Sequence, residues 1–145
     1  MFKPILYATL FLALIYQNSS AQVKKITDIL LNKSTFNKIR FEDPARCDSI
    51  EKWAKSDIDN QTVFLFIQSG IAPVLYKADS IFENKYGVYF ADFGDVSIAD
   101  ESCIVKYDFL IFNYLTAKYS NRWTKEIRKD VIGFKDWKKK RRKPL

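Results

Sequence analysis

The run Thr62-Val63-Phe64-Leu65-Phe66-Ile67 gives the strongest strand prediction in this sequence. It is a continuous run of apolar and β-favouring residues, bounded by polar or turn-forming residues at 57–60 and at Ser69-Gly70. A strand without alternating polar positions is typically covered on both of its faces. We therefore predict a central β-strand over 62–67 that follows a polar turn over 57–60.

A second strand is predicted over 88–93, where the sequence reads Val-Tyr-Phe-Ala-Asp-Phe. The segment 78–86 before it predicts a helix that turns Ile81 and Phe82 inward. Gly87 is well placed to end this helix, because glycine readily adopts the left-handed conformation found there. A helical crossover between two strands of one sheet makes those strands parallel.

The number of strands stays open in this interpretation. The segment 71–76 can form a further strand that Pro73 confines to a sheet edge, and the sheet is then mixed. Helices account for most of the remaining chain, over 23–33, 102–119 and 120–132, while 34–41 fits either a helix or a strand. The predicted class is α+β, with α/β as the alternative, built on a small single sheet of two to four strands covered by helices.

The first residues have the three parts of a secretory signal peptide. Lys3 is followed by an apolar run over 5–16, and the small residues Ser19 and Ala21 favour cleavage after Ala21. An uncleaved anchor is the alternative, but a membrane-spanning helix needs about 20 apolar residues. The sequence thus predicts a periplasmic or secreted protein that does not span a membrane after cleavage. The predicted organisation is a signal peptide over 1–21, a single globular domain over 22–134 and a basic C-terminal tail over 135–145.

The chain has two cysteines, Cys47 and Cys103. In an oxidising compartment such a pair most simply forms one disulfide, and two buried free thiols are the alternative. The closed loop would be long enough to stabilise the folded state by about 4 kcal/mol in the chain-entropy model.

The net charge of +7 lies almost entirely in the predicted tail. A block of like charges is typically extended and solvated, so a solubilising tail is one interpretation. The other is that the tail contacts an anionic envelope surface, with the indole at the interface. Nucleic acid would attract the same charge but is not favoured, because an exported protein rarely meets it. The candidate contact residues are Trp137, Lys138, Lys139, Lys140, Arg141, Arg142 and Lys143.

Histidine is absent from the sequence, which excludes Ser-His-Asp and Cys-His catalytic arrangements and every metal site with a histidine ligand. Carboxylates cluster after the second predicted strand, at Asp92, Asp95, Asp100 and Glu101. Asp92 and Asp95 are the candidates for an acid–base or metal site, although turn and cap residues have the same pattern. We expect no cofactor.

Several motifs resemble a pattern in small exported proteins of Bacteroidota whose functions are uncharacterised. They are Phe82-Glu83-Asn84-Lys85-Tyr86-Gly87-Val88, Asp92-Phe93-Gly94, Tyr114-Leu115 with Lys118-Tyr119, and residues 123–133. This resemblance covers the C-terminal half of the chain, and it implies export without implying an activity.

The predicted function is therefore an exported binding module rather than an enzyme. Its partner is a protein or an anionic envelope surface that the basic tail contacts. The alternative is a periplasmic enzyme of unknown reaction that depends on carboxylates or a metal.

Overall fold

The computed structural model describes residues 32, 34–41, 44–72, 74–96, 98 and 101–142. The predicted signal peptide and, apart from Asn32, the predicted helix over 23–33 lie outside the described residues. Asp100 and Lys143 lie outside them as well.

The described chain is mainly helical and has one small sheet, so the α+β prediction is confirmed. Its elements in order are α1 (Phe36–Phe41), a 3₁₀ helix (Pro44–Ser49), α2 (Ile50–Asn60), β1 (Val63–Ile67), α3 (Lys77–Tyr86), β2 (Val88–Asp92), α4 (Ser102–Tyr119), α5 (Trp123–Glu126) and α6 (Phe134–Arg142).

Strands β1 and β2 form a parallel two-stranded sheet, with Val63 opposite Val88 and Ile67 opposite Asp92. All five residues of β1 are buried, as the apolar run predicted. Helix α3 connects the two strands, so the helical crossover is confirmed. Gly87, at φ +68°, ends this helix as expected.

The edge of β1 that faces away from β2 is covered by groups from α4 and from the segment before α6. The hydroxyl of Tyr107 accepts a hydrogen bond from the Phe64 N–H (3.4 Å), and the Asp108 carboxylate accepts one from the Phe66 N–H (3.3 Å). The Ile132 N–H donates to the Phe66 carbonyl (2.9 Å). These contacts fill backbone positions that a third strand occupies in a larger sheet.

The outer edge of β2 is covered in a similar way. The Glu83 carboxylate, on α3, accepts a hydrogen bond from the Phe90 N–H at 2.8 Å. The ring of Phe82, which is also on α3, stacks with the ring of Phe90, and their centroids are 5.5 Å apart. Helix α3 is therefore fixed to β2 by a polar contact as well as by apolar packing.

Some predictions about secondary structure are wrong, and tertiary contacts explain the differences. Residues 57–60 form the last turn of α2, because the Asp57 side chain is held inside the protein by hydrogen bonds. The further strand that the sequence left open over 71–76 does not form in the described part of that segment, where the Val74 carbonyl accepts a hydrogen bond from the Arg128 side chain.

A further error concerns the helix predicted over 120–132. Only Trp123–Glu126 is helical, because Val131 forms an antiparallel bridge with Ile67 at the edge of β1. The inward position predicted for Ile81 is also wrong, since this side chain is 59% exposed on α3.

Cys47 and Cys103 form the predicted disulfide, with their Cα atoms 5.2 Å apart. The bond joins the 3₁₀ helix to the first turn of α4. It closes a loop with a sequence separation of 56 residues between two parts of the chain that flank the whole sheet.

Replacing both cysteines, Cys47→Ala with Cys103→Ala, should lower the free energy of unfolding by about 3–4 kcal/mol, because the unfolded chain regains the entropy of an open loop. Urea denaturation of the two proteins measures the difference. Equal midpoints and slopes would contradict the stabilising role of the bond.

Candidate functional site

Residues 134–142 form the helix α6, so the expectation of an extended tail is wrong for this part of the chain. Two aromatic side chains explain the helix: Phe134 is 2% exposed and Trp137 is 4% exposed. Burying one such side chain is worth about 1.5–3 kcal/mol. Repulsion between like charges one helical turn apart is worth only about 0.2–0.5 kcal/mol per pair. Aromatic burial therefore outweighs the charge repulsion.

Trp137 lies inside the domain. Its indole N–H donates a hydrogen bond to the Asn113 side-chain oxygen (2.9 Å), and its ring is 5.3 Å from the ring centroids of Phe112 and Trp123. One interpretation of the sequence placed this indole at an anionic surface. The structure corrects that assignment, because the side chain anchors α6 to α4 and is not presented to solvent.

Cations of α6 cover the aromatic anchors. The ammonium of Lys138 lies 5.8 Å from the centroid of the Phe134 ring, and the guanidinium of Arg141 lies 4.8 Å from that of Trp137. The Arg141 guanidinium also donates a hydrogen bond to the Asn121 side-chain oxygen at 2.9 Å. Such contacts hold the charged groups over the ring faces while their outer sides stay in solvent.

A stripe of cations follows the outer side of α6. The positions 135, 138, 139 and 142 have the spacing that places residues on one side of a helix. The segment before the helix adds Lys129, whose ammonium is 5.5 Å from the Phe134 ring centroid. Burial, and then the nearby positive charge of Lys138, lower the pKa of Lys129. We call the set Lys129, Lys135, Lys138, Lys139 and Arg142 the cationic face.

The described carboxylates form no ion pair with the cationic face, and the carboxylate that lies in the same helix is Asp136. Glu126 is paired with Lys85 at 2.8 Å, and Asp130 is paired with Arg128 at 2.6 Å. Among the residues that the structure describes, none of the five cations of the face has a carboxylate oxygen within 4.0 Å. Their charge is therefore available to an external anion.

Asp92, the last residue of β2, has a conformational role in the structure. The Asp92 carboxylate accepts hydrogen bonds from the backbone N–H groups of Ser69 (3.1 Å) and Gly94 (2.8 Å). It thus joins the loop after β1 to the turn after β2. Asp95 lies exposed in that turn. Within the described ranges, no three histidine, cysteine or acidic side chains are grouped as metal ligands.

A polar cluster around Asp57 was not predicted from the sequence. Its fully buried carboxylate accepts hydrogen bonds from the Thr35 N–H (3.0 Å), the Thr35 hydroxyl, the Thr62 hydroxyl (3.2 Å) and the Tyr107 hydroxyl (2.7 Å). Burial raises the pKa of Asp57, and the hydrogen bonds oppose this rise. The cluster joins the segment before α1 to α2, β1 and α4.

Asp108 is a second buried carboxyl group that was not predicted from the sequence. It is 0% exposed, and burial raises its pKa well above the usual range, opposed only by the hydrogen bond from the Phe66 N–H. A signal was present, because Asp108 falls on the apolar stripe of α4 that contains Ile104, Ile111 and Leu115. An acidic residue at such a position indicates a buried polar contact.

None of the helices in the described ranges has the length and apolar character needed to span a membrane. No protein-family model, curated protein or solved structure matches this chain. The contacts and charges of its own residues are therefore the basis for a functional proposal.

The pH dependence of stability tests the burial of Asp108. An unfolded Asp has a pKa of about 3.9. Because the pKa of Asp108 is raised in the folded protein, Asp108 keeps its proton there at pH values at which the unfolded chain has lost it. The proton on Asp108 therefore stabilises the folded state at low pH, and this contribution is lost as the pH rises from about 4 towards the pKa in the folded protein. Asp108→Asn should therefore make the loss of stability between pH 4.5 and 7 shallower. Urea denaturation across this range measures the slope.

Asp95→Asn, at an exposed turn, is the matched control and should keep the slope of the unaltered protein. The absence of histidine simplifies the comparison, because no imidazole titrates in this window. Identical slopes for Asp108→Asn and the unaltered protein would show that Asp108 does not hold a proton in the fold.

Proposed function

We propose that the protein is a small exported module that binds an anionic surface of the cell envelope through its cationic face. One observation carries this proposal: five cations, none of which has a carboxylate oxygen within 4.0 Å in the described part of the chain, lie on and beside a helix that two buried aromatic residues fix to the core. A fixed helix presents its charges together and loses little conformational freedom on binding.

The expected strength of such binding follows from the number of cations. Each lysine or arginine near an anionic membrane contributes about 1 kcal/mol, and the contribution is screened within a distance of about 8–10 Å at physiological salt. Five cations together therefore favour binding by up to about 5 kcal/mol at low salt. Binding of this kind is reversible and weakens as salt is added.

Export is supported by two independent features of the chain. The disulfide between Cys47 and Cys103 is typical of proteins that fold in an oxidising compartment outside the cytoplasm. The first 21 residues have the pattern of a cleavable signal peptide. A periplasmic or secreted location places the cationic face among the anionic components of an envelope.

The alternative, a periplasmic enzyme that uses carboxylates or a metal, has less support. Its best candidate, Asp92, already accepts hydrogen bonds from two backbone N–H groups, and its neighbour Asp95 is exposed in a turn. The buried Asp57 and Asp108 carboxyls are enclosed by the fold, so a substrate would not reach them.

Removing charge from the cationic face should weaken binding to anionic vesicles. We expect the triple variant Lys135→Gln, Lys139→Gln, Arg142→Gln to partition onto vesicles of phosphatidylglycerol and phosphatidylcholine at least tenfold more weakly at low salt, because three charge contacts of about 1 kcal/mol each are lost. Co-sedimentation of protein residues 22–145 with the vesicles measures the partition coefficient.

The control removes the same charge elsewhere, with Lys38→Gln, Lys52→Gln and Lys55→Gln on α1 and α2. If both triple variants lose the same affinity, net charge rather than the cationic face drives binding. If the α6 variant partitions like the unaltered protein, the proposed function is wrong.

A further inference from the structure

The loop between β1 and α3 exposes large apolar side chains to solvent. Ile71 is 90% exposed and Leu75 is 87% exposed, and Val74 and Tyr76 are also exposed. Exposed apolar residues are ordinary when they are scattered, but a cluster in one short loop indicates a binding surface. We call Ile71, Val74 and Leu75 the apolar loop.

The base of this loop is fixed by Arg128. Its guanidinium donates hydrogen bonds to the Val74 carbonyl (3.0 Å) and to the Asp79 carboxylate (2.9 Å), and it lies 5.0 Å from the ring centroid of Tyr76. The Tyr76 N–H in turn donates to the Asp79 carboxylate at 3.0 Å. The Arg128 and Asp79 side chains are largely buried, so the ion pair is well shielded from solvent. The exposed apolar side chains are thus presented by an anchored backbone.

The residue that fixes the apolar loop, Arg128, is followed in the chain by the first residue of the cationic face, Lys129. Lys129 lies over the Phe134 ring and is close enough to Lys138 for the charge of Lys138 to lower its pKa. Two consecutive residues therefore connect the base of the apolar loop with the first turns of α6.

Apolar side chains beside unpaired cations are complementary to the surface of an anionic bilayer. In such a surface the phosphates lie outside and the hydrocarbon begins within about 5–10 Å, a depth that side chains on a protruding loop can reach. A soluble or polymeric polyanion offers the same negative charge without any hydrocarbon. Charge alone explains the cationic face, whereas a lipid surface explains both features.

We propose that the anionic surface is a lipid bilayer, and that Ile71, Val74 and Leu75 enter its hydrocarbon boundary while the cationic face contacts the lipid phosphates. This proposal rests on the function proposed above and names the surface concerned. The protein then lies on the membrane as a peripheral module, with the apolar loop and α6 facing the lipid.

The test compares a bilayer with a polyanion that has no hydrocarbon. Ile71→Ser with Leu75→Ser should weaken partition onto vesicles of phosphatidylglycerol and phosphatidylcholine at least tenfold, and elution from immobilised heparin should occur at an unchanged salt concentration. Ile71→Leu with Leu75→Ile keeps the apolar character and should bind vesicles as the unaltered protein does. All four substitutions are at exposed positions, and circular dichroism checks the fold.

The outcomes separate the two proposals. If the double serine variant keeps vesicle binding while the α6 variant loses it, the cationic face binds anions but the apolar loop does not enter lipid. If the double serine variant loses vesicle and heparin binding equally, insertion is also wrong, because the loop then acts without hydrocarbon. If the α6 variant keeps both kinds of binding, the proposed function itself fails.

Discussion

Hydrogen bonds from side chains to the edges of the sheet are the interaction on which this fold depends. A parallel sheet of only two strands has two open edges, and two strands alone are marginally stable in water. Each buried N–H left without a partner would cost about 1–3 kcal/mol. Asp108 and Tyr107 supply partners along β1, and Glu83 supplies one along β2. Helices α3 and α4 therefore complete the sheet in place of further strands.

The edge of β1 that faces away from β2 also determines where the cationic face lies. Val131 and Ile132 pair with the end of β1, and Gly133 then turns the chain at φ +75° so that α6 starts against α4. A side chain at this glycine would place its Cβ 3.0 Å from the Phe109 ring, besides straining the backbone. From this turn Phe134 and Trp137 enter the core and the cations face outward. The position of the proposed binding surface thus follows from the pairing at the sheet edge.

The sequence predicted the elements whose patterns are local. The unbroken apolar run of β1, the crossover helix ended by Gly87, and the whole of α4 were correct, because burial alone dictates those patterns. The wrong predictions concern segments whose structure is determined by contacts with residues far away in the sequence. The sequence after α5 has a helical pattern, but Val131 pairs with Ile67 in the structure. Residues 135–142 have the composition of a solvated tail, but Phe134 and Trp137 pack against α4 and the segment is helical. The cationic residues were therefore predictable, whereas their fixed presentation was not.

Native-state hydrogen exchange of the Phe66 and Phe90 amides tests the covering of the sheet edges most directly. Both N–H groups point away from the partner strand and donate to carboxyl groups on helices, Asp108 of α4 and Glu83 of α3. If these bonds hold the fold together, both amides exchange only through global unfolding, with the same opening free energy as the Leu65 amide inside the sheet. Exchange of the Phe66 and Phe90 amides at a much lower opening free energy, while Leu65 stays protected, would contradict the account.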